Sequence, residues 1–258
     1  MQRNDLRQWA EEQRRRFHVP SFVERDPVQV PRGFQRLQDV EIAAFFTALM
    51  AWGRRDLIIR SAKRLMERMD GSPYEFVRAG SATDWRQIEG FVHRTLQASD
   101  VLYMLRWLRG HYEQNESLQT AFSRHLSSSD PDITRALVGF QSNFFSLPDA
   151  PKRTEKHISS PAKGGSACKR LCMFLRWLVR VDSAEEGVDL GLWREISPRQ
   201  LIMPLDVHVL RTANRWGICG DLKPNWQSAQ ALTASLRQWS ADDPVRYDFA
   251  FFGAGEAE

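Results

Sequence analysis

The chain has 258 residues, 42% apolar and 11% aromatic, which is enough to bury a sizeable core and argues against disorder. Its net charge is +4, from 36 Lys and Arg (30 Arg, 6 Lys) against 32 Asp and Glu, a mild excess that is only a weak sign of a nucleic-acid partner. Three cysteines suggest a reducing compartment without a disulfide framework, and the longest apolar stretch, Ile42 to Trp52, is too short to span a bilayer.

The N-terminal "MQRNDLRQWAEEQRRRF" has no apolar signal core, so a cytoplasmic protein is expected. Helical periodicity then dominates. "DVEIAAFFTALMAWG" reads as a helix capped by Asp39 and stopped by Gly53, and "RRDLIIRSAKRLMERMDG" places Ile58, Ala62, Leu65 and Met69 on one face. "SDVLYMLRWLRGHYEQ" starts at a Ser99/Asp100 cap, and "SDPDITRALVGFQSNFFS" follows after another. A break rich in Pro, Ser and Lys, "LPDAPKRTEKHISSPAKGG", precedes a helix over 166–181. A short helix in "DLGLWREIS" is expected next, then one opening at Asp206. "NWQSAQALTASLRQWS" and "DPVRYDFAFFG" close the chain. No alternating strand stands out, and the predicted fold is all-α and irregularly packed.

The chemistry-bearing residues gather around the fifth of these helices, 166–181. Between Lys152 and Arg180 there are eight cations against one acid, Glu155. The Gly164-Gly165 turn before Ser166 would offer free backbone amides to a phosphate, with Lys163 and Arg170 flanking it; an ordinary helix start is the plain alternative. Lys169, Cys172, Met173, Arg176 and Arg180 share one helix face, which is expected to meet nucleic acid, with Arg176 as a contact. A partly desolvated Lys169 among cations would be a nucleophile, whereas a snorkelling surface lysine is the plain reading. With six lysines in the chain, few amines compete for that role. Cys168 and Cys172 lack any zinc or iron–sulfur ligand set around them and read as small core residues. In "LIMPLDVHVLR", Asp206 is an N-cap whose carboxylate could also stabilise a cation, and His208 one turn on is structural or phosphate-facing. Arg54 and Arg55, in the elbow after Trp52, could reach a nucleic-acid groove or form a solvated corner.

In this order the pieces resemble the helix-hairpin-helix/Gly-Pro-Asp DNA glycosylase superfamily, with "PLDVHVLR" in the place of its Pro-Val-Asp-Thr-His-Val-Arg-like segment. More closely, "RDPVQVPRGF", "DVEIAAFFTALMAWGRRDLI", "GSPYEF", "GSACKRLCMFLRWLVR", "GLWREISPRQLIMPLDVHVLR" and "DPVRYDFAFFG" resemble a bacterial family of unassigned function, domain-of-unknown-function family 2400, over about residues 20 to 255. The superfamily resemblance implies a two-lobed helical domain, here with lobe one over about 39–165 and lobe two over about 1–38 plus 166–258. A monomer acting on damaged duplex DNA, with no cofactor or metal, is expected. Bifunctional members of the superfamily use a Lys that attacks C1′ of a flipped nucleotide and an Asp that supports the step. The Asp matches Asp206. Laid on the usual hairpin, the nucleophile column falls on Ser166, with Lys169 one turn later; archaeal 8-oxoguanine glycosylases are similar in their atypical hairpin, displaced Lys and lack of an iron–sulfur cluster. The expectation is therefore base excision repair by a DNA glycosylase, with or without lyase activity, that removes a damaged purine such as 8-oxoguanine. The alternative is a non-catalytic DNA- or RNA-binding module on the same fold.

Overall fold

A computed structural model describes residues 3–163, 165–183 and 187–256, without the side chains of Arg3, Asn4 and Lys163. The α-helices in chain order are α1 (Arg3–Phe17), α2 (Leu37–Met50), α3 (Arg55–Glu67), α4 (Pro73–Ala79), α5 (Ala98–Tyr112), α6 (Thr120–Ser123), α7 (Thr134–Phe144), α8 (Lys169–Val179), α9 (Val207–Arg215), α10 (Trp226–Arg237) and α11 (Asp248–Glu256). Among the described residues the one sheet is an antiparallel pair of two-residue strands, β1 (Val92–His93) and β2 (Leu96–Gln97), with Val92 opposite Gln97. The fold is all-α, as the periodicity predicts. Among the described residues, no helix is long and apolar enough to cross a membrane.

The chain divides into two compact units. Unit 1 holds 1–23, 126–135 and 160–258; unit 2 holds 24–125 and 136–159. Relative to the lobes expected from the sequence, residues 24–38 fall with the first lobe, and 126–135 and 160–165 with the second.

Unit 2 is organised on α2. Every residue from Val40 to Met50 is buried, as expected of a helix apolar all round. The acid within that run, Glu41, is fully buried and satisfied by the Tyr112 hydroxyl (2.9 Å), the Leu118 amide (2.9 Å) and the Ser117 hydroxyl. Asp39 lies in the first turn instead of capping, and accepts from the Tyr74 amide at 2.8 Å. On α3, Ile58, Ala62 and Leu65 face inward, and Met69 is buried just past its end. The α5 cap is Gln97, two residues before the expected Ser99, because Asp100 at the third helical position reaches back to the Gln97 amide (2.9 Å).

Unit 1 contains α1 and α8 to α11, with α11 packed against both α1 and α9. The helix expected in "DLGLWREIS" does not form. Its backbone donors cap α8 instead: the Leu190 and Gly191 amides donate to the Trp177 carbonyl (2.7 and 3.2 Å), and the Trp193 amide to that of Leu178 (2.7 Å). Gly191 sits at φ +57°, and a side chain there would press on the Arg180 and Val181 main chain.

Candidate active site

The helix that carries the candidate nucleophile starts later than its sequence suggests. Cys168 is the N-cap of α8, with left-handed dihedrals (φ 49°, ψ 28°), and its amide donates to Ser166 Oγ at 3.1 Å. The first helical residue is therefore Lys169, and the amides of the helix start do not belong to the glycine turn. Gly165 (φ +75°) and Ser166 form the irregular approach to that cap. Gly164 and the Lys163 side chain lie outside the described residues. Cys168 and Cys172 are buried, as small core residues should be.

Asp206 enters along a wholly buried extended run, Leu201 to Leu205, and caps α9 with extended dihedrals (φ −100°, ψ −176°). Its two oxygens have different tasks. Oδ1 accepts from the His208 and Val209 amides, both at 2.9 Å, while Oδ2 stands 3.8 Å from Lys169 Nζ. The amine side chain is 29% exposed and the acid 11%, so the pair sits at an edge that solvent or a ligand can reach. Residues 37 positions apart in sequence thus meet as an amine and an acid whose orientation the cap holds.

The remaining cations on the Lys169 face point to a different environment. Arg176 and Arg180 were expected beside nucleic acid, but both are buried inside unit 1. Arg176 donates to Asp189 Oδ2 (Nε 3.2 Å, Nη2 3.1 Å) and pairs with Asp248 through Nη1, with its guanidinium 4.1 Å from the Phe249 ring centroid. Arg180 pairs with Asp182, Asp189 (3.0 Å) and Asp243 (2.9 Å). The phosphate-contact assignment for Arg176 is therefore corrected: at 1% exposure its guanidinium neutralises buried acids. Arg176 and Arg180 lie on a core-like helix because Asp182, Asp189, Asp243 and Asp248 from later segments fold onto them.

Two guanidiniums do not balance four carboxylates, and the titrations reflect the excess. Burial, reinforced by nearby Asp206 and Asp189, pushes Asp248 up to about 6 despite Arg176. Burial also raises Asp243 against the pull of Arg180. Asp182 shows the opposite result: burial opposes its charge, but the His18 hydrogen bond (2.8 Å) and Arg180 hold it well below the ordinary carboxylate range. For both arginines, burial opposes the charge and the acids more than offset it, so each guanidinium pKa is raised. His18, Asp182 and Asp189 have ligand atoms within 4.8 Å of one another, a spacing a metal could use, but Arg176 and Arg180 already supply their counter-charge.

Of the other residues named from sequence, Arg170 is half-buried and its pKa is lowered by burial. His208 is structural: its Nδ1–H donates to the Gly255 carbonyl at 3.0 Å and its ring meets Phe252 edge-on. Arg54 and Arg55 belong to unit 2, where Arg54 is largely exposed and paired with Asp56 at 2.8 Å. The basic window is divided between the units: Lys152 to Lys156 lie in unit 2, with Arg153 tied to Asp100 (2.8 Å), and Arg176 and Arg180 are buried within unit 1. Asp189 and Asp248 escaped the sequence reading. A signal for Asp248 is present in hindsight: an acid between Tyr247 and Phe249, in an apolar run, must be buried with a partner.

Fold and site define an all-α protein with a reachable Lys–Asp pair and a buried Arg–Asp network on the same helix. Residues 26–257 match the family described as "Protein of unknown function (DUF2400)", and the chain belongs to that family. No curated protein and no solved structure matches it.

Proposed function

We propose that this protein is a DNA repair glycosylase that acts on a damaged purine, with Lys169 as nucleophile and Asp206 as its electrostatic partner. The observation that carries the reading is the 3.8 Å approach of Lys169 Nζ to one oxygen of Asp206 while the helix cap holds the other. The neutral amine attacks C1′ of an extruded nucleotide; the C1′–N bond to the base breaks as the new C–N bond forms, and the base leaves with the electron pair and takes up a proton. Asp206 stabilises the positive charge that develops on the sugar, and its cap keeps it from rotating away. Sugar ring opening then gives a Schiff base on Lys169, from which a lyase step can follow.

The test is incubation with a panel of lesion-bearing duplexes and single strands, RNA included, followed by borohydride. Wild type releases free base and is trapped on DNA; Lys169→Gln binds but is not trapped, and Asp206→Asn binds without releasing base. Trapping of Lys169→Gln would move the nucleophile to another lysine. Ser166, in the column where related glycosylases place the nucleophile, has its hydroxyl engaged by the Cys168 amide (3.1 Å), which supports a second reading, a binding module without chemistry. Retention of nucleic acid with no base released by any variant selects that reading.

A further inference from the structure

The Lys169–Asp206 pair is held from behind by a helix that neither residue belongs to. α11 begins at Asp248 and runs along α9, the helix that Asp206 caps. The Thr212 hydroxyl donates to the Phe251 carbonyl (2.9 Å) and His208 to that of Gly255 (3.0 Å), which fastens α9 to α11. At its other end, the Asp248 carboxylate grips Arg176, two turns along α8 from Lys169 and on the same face. One short helix therefore connects the helix with the amine to the helix headed by the acid. Asp248 is also within electrostatic reach of Asp206 itself.

We propose that Asp248 is a positioning residue for the Lys169–Asp206 pair: it fixes α8 through Arg176 and α9 through α11, and its protonation state sets the negative potential at the pair. The assignment takes Lys169 and Asp206 as the reacting groups and so rests on the proposed function. The charged and titratable groups around Asp248 are Arg176 and Cys172 from α8, Asp189 from the strap after α8, and Asp206 from the head of α9. Arg180, Asp182, Asp243 and His18 extend the same network, with His18 against Phe249. When Asp248 loses its proton, a second carboxylate acts on the site. A positive charge at the site, on the amine or on the sugar, is then better stabilised.

The consequence can be read without nucleic acid. The full-length chain is treated with formaldehyde and cyanoborohydride from pH 5 to 8.5. The amine adds to the aldehyde with loss of water, and hydride from cyanoborohydride reduces the resulting iminium to a methylamine. Peptide mass spectrometry gives the rate at Lys169 relative to the exposed Lys63 and Lys223. In wild type this ratio should fall about threefold to tenfold as pH crosses the Asp248 titration near 6. Asp248→Asn should remove the step and Asp248→Glu should keep it. A flat wild-type ratio, or an unchanged step in Asp248→Asn, overturns the proposal. Should Asp248→Asn not fold, carboxyl-carbon NMR of wild type decides: the Asp206 signal must show a second step at the Asp248 titration, and its absence overturns the assignment. Because no DNA is used, a chain that shows the step but releases no base sinks the glycosylase reading alone, and one that releases base without the step sinks this one alone.

Discussion

Gly255 meets the main chain of His208 so closely that a Cβ on it would stand 2.6 Å from the His208 carbonyl oxygen and 2.7 Å from Thr212 Oγ1. The missing side chain is what allows α11 to lie against α9. Gly255→Ala must push the two helices apart, because one of the opposing atoms is backbone and cannot rotate away. The expected cost is about 1–3 kcal/mol, seen as a lower denaturation midpoint, with a matching loss of the Lys169 trapping that the proposed function requires. Unchanged stability would mean that α11 is free to slide.

Asp206 has two roles that substitution can separate. Asparagine still accepts the His208 and Val209 amides, so Asp206→Asn should melt close to wild type while losing base release. Asp206→Ala loses the cap as well and should be destabilised by about 1 kcal/mol. Equal stability of the two variants, measured by chemical denaturation, would show that the cap contributes nothing.

Arg176 is the counter-charge of a buried acid cluster, so its removal should be costly. Arg176→Met leaves Asp189 and Asp248 facing each other without it, and a loss of about 3–5 kcal/mol is expected. Adding Asp248→Asn should recover part of that loss, since one uncompensated carboxylate is then gone. A double-mutant cycle in urea reads the coupling directly, and simple additivity would contradict the network.

Stability should depend on pH around 6. Asp248 holds its proton more tightly in the folded chain than in the unfolded one, with a folded value raised to about 6. The stability it contributes is complete below the ordinary carboxylate range and is lost as pH rises through about 6. The urea midpoint should therefore fall between pH 5 and 7, and fall less in Asp248→Asn. Asp182 works in the opposite sense: its pKa is depressed, so its contribution is present above the ordinary carboxylate range and disappears only in strong acid.

Much of this was legible in the residues. The "DVHVLR" stretch signals a helix capped by Asp206, and that cap forms. The periodicity of "DLIIRSAKRLME" identifies the buried face of α3 correctly. The failures share one cause. "DLGLWREIS" has the composition of a short helix, but its amides are more useful on the last carbonyls of α8, a demand that local sequence does not express. Arg176 and Arg180 fall on the Lys169 face by spacing, and spacing alone cannot tell a phosphate from a buried carboxylate as their partner. Cys168 became the cap in place of the glycine turn because its left-handed backbone ends the approach there.

The sequence by itself determined the helical class, most helix positions, the absence of a long apolar span and the cap at Asp206, because periodicity and capping act over a few neighbouring residues. Only the tertiary structure decided which charges meet. Asp189 and Asp248 reach Arg176 from 13 and 72 positions away, Asp243 reaches Arg180 from 63, and the partner of Lys169 comes from another helix altogether. A buried charge must find its opposite at short range, and which segment delivers that opposite is settled by how the helices stack.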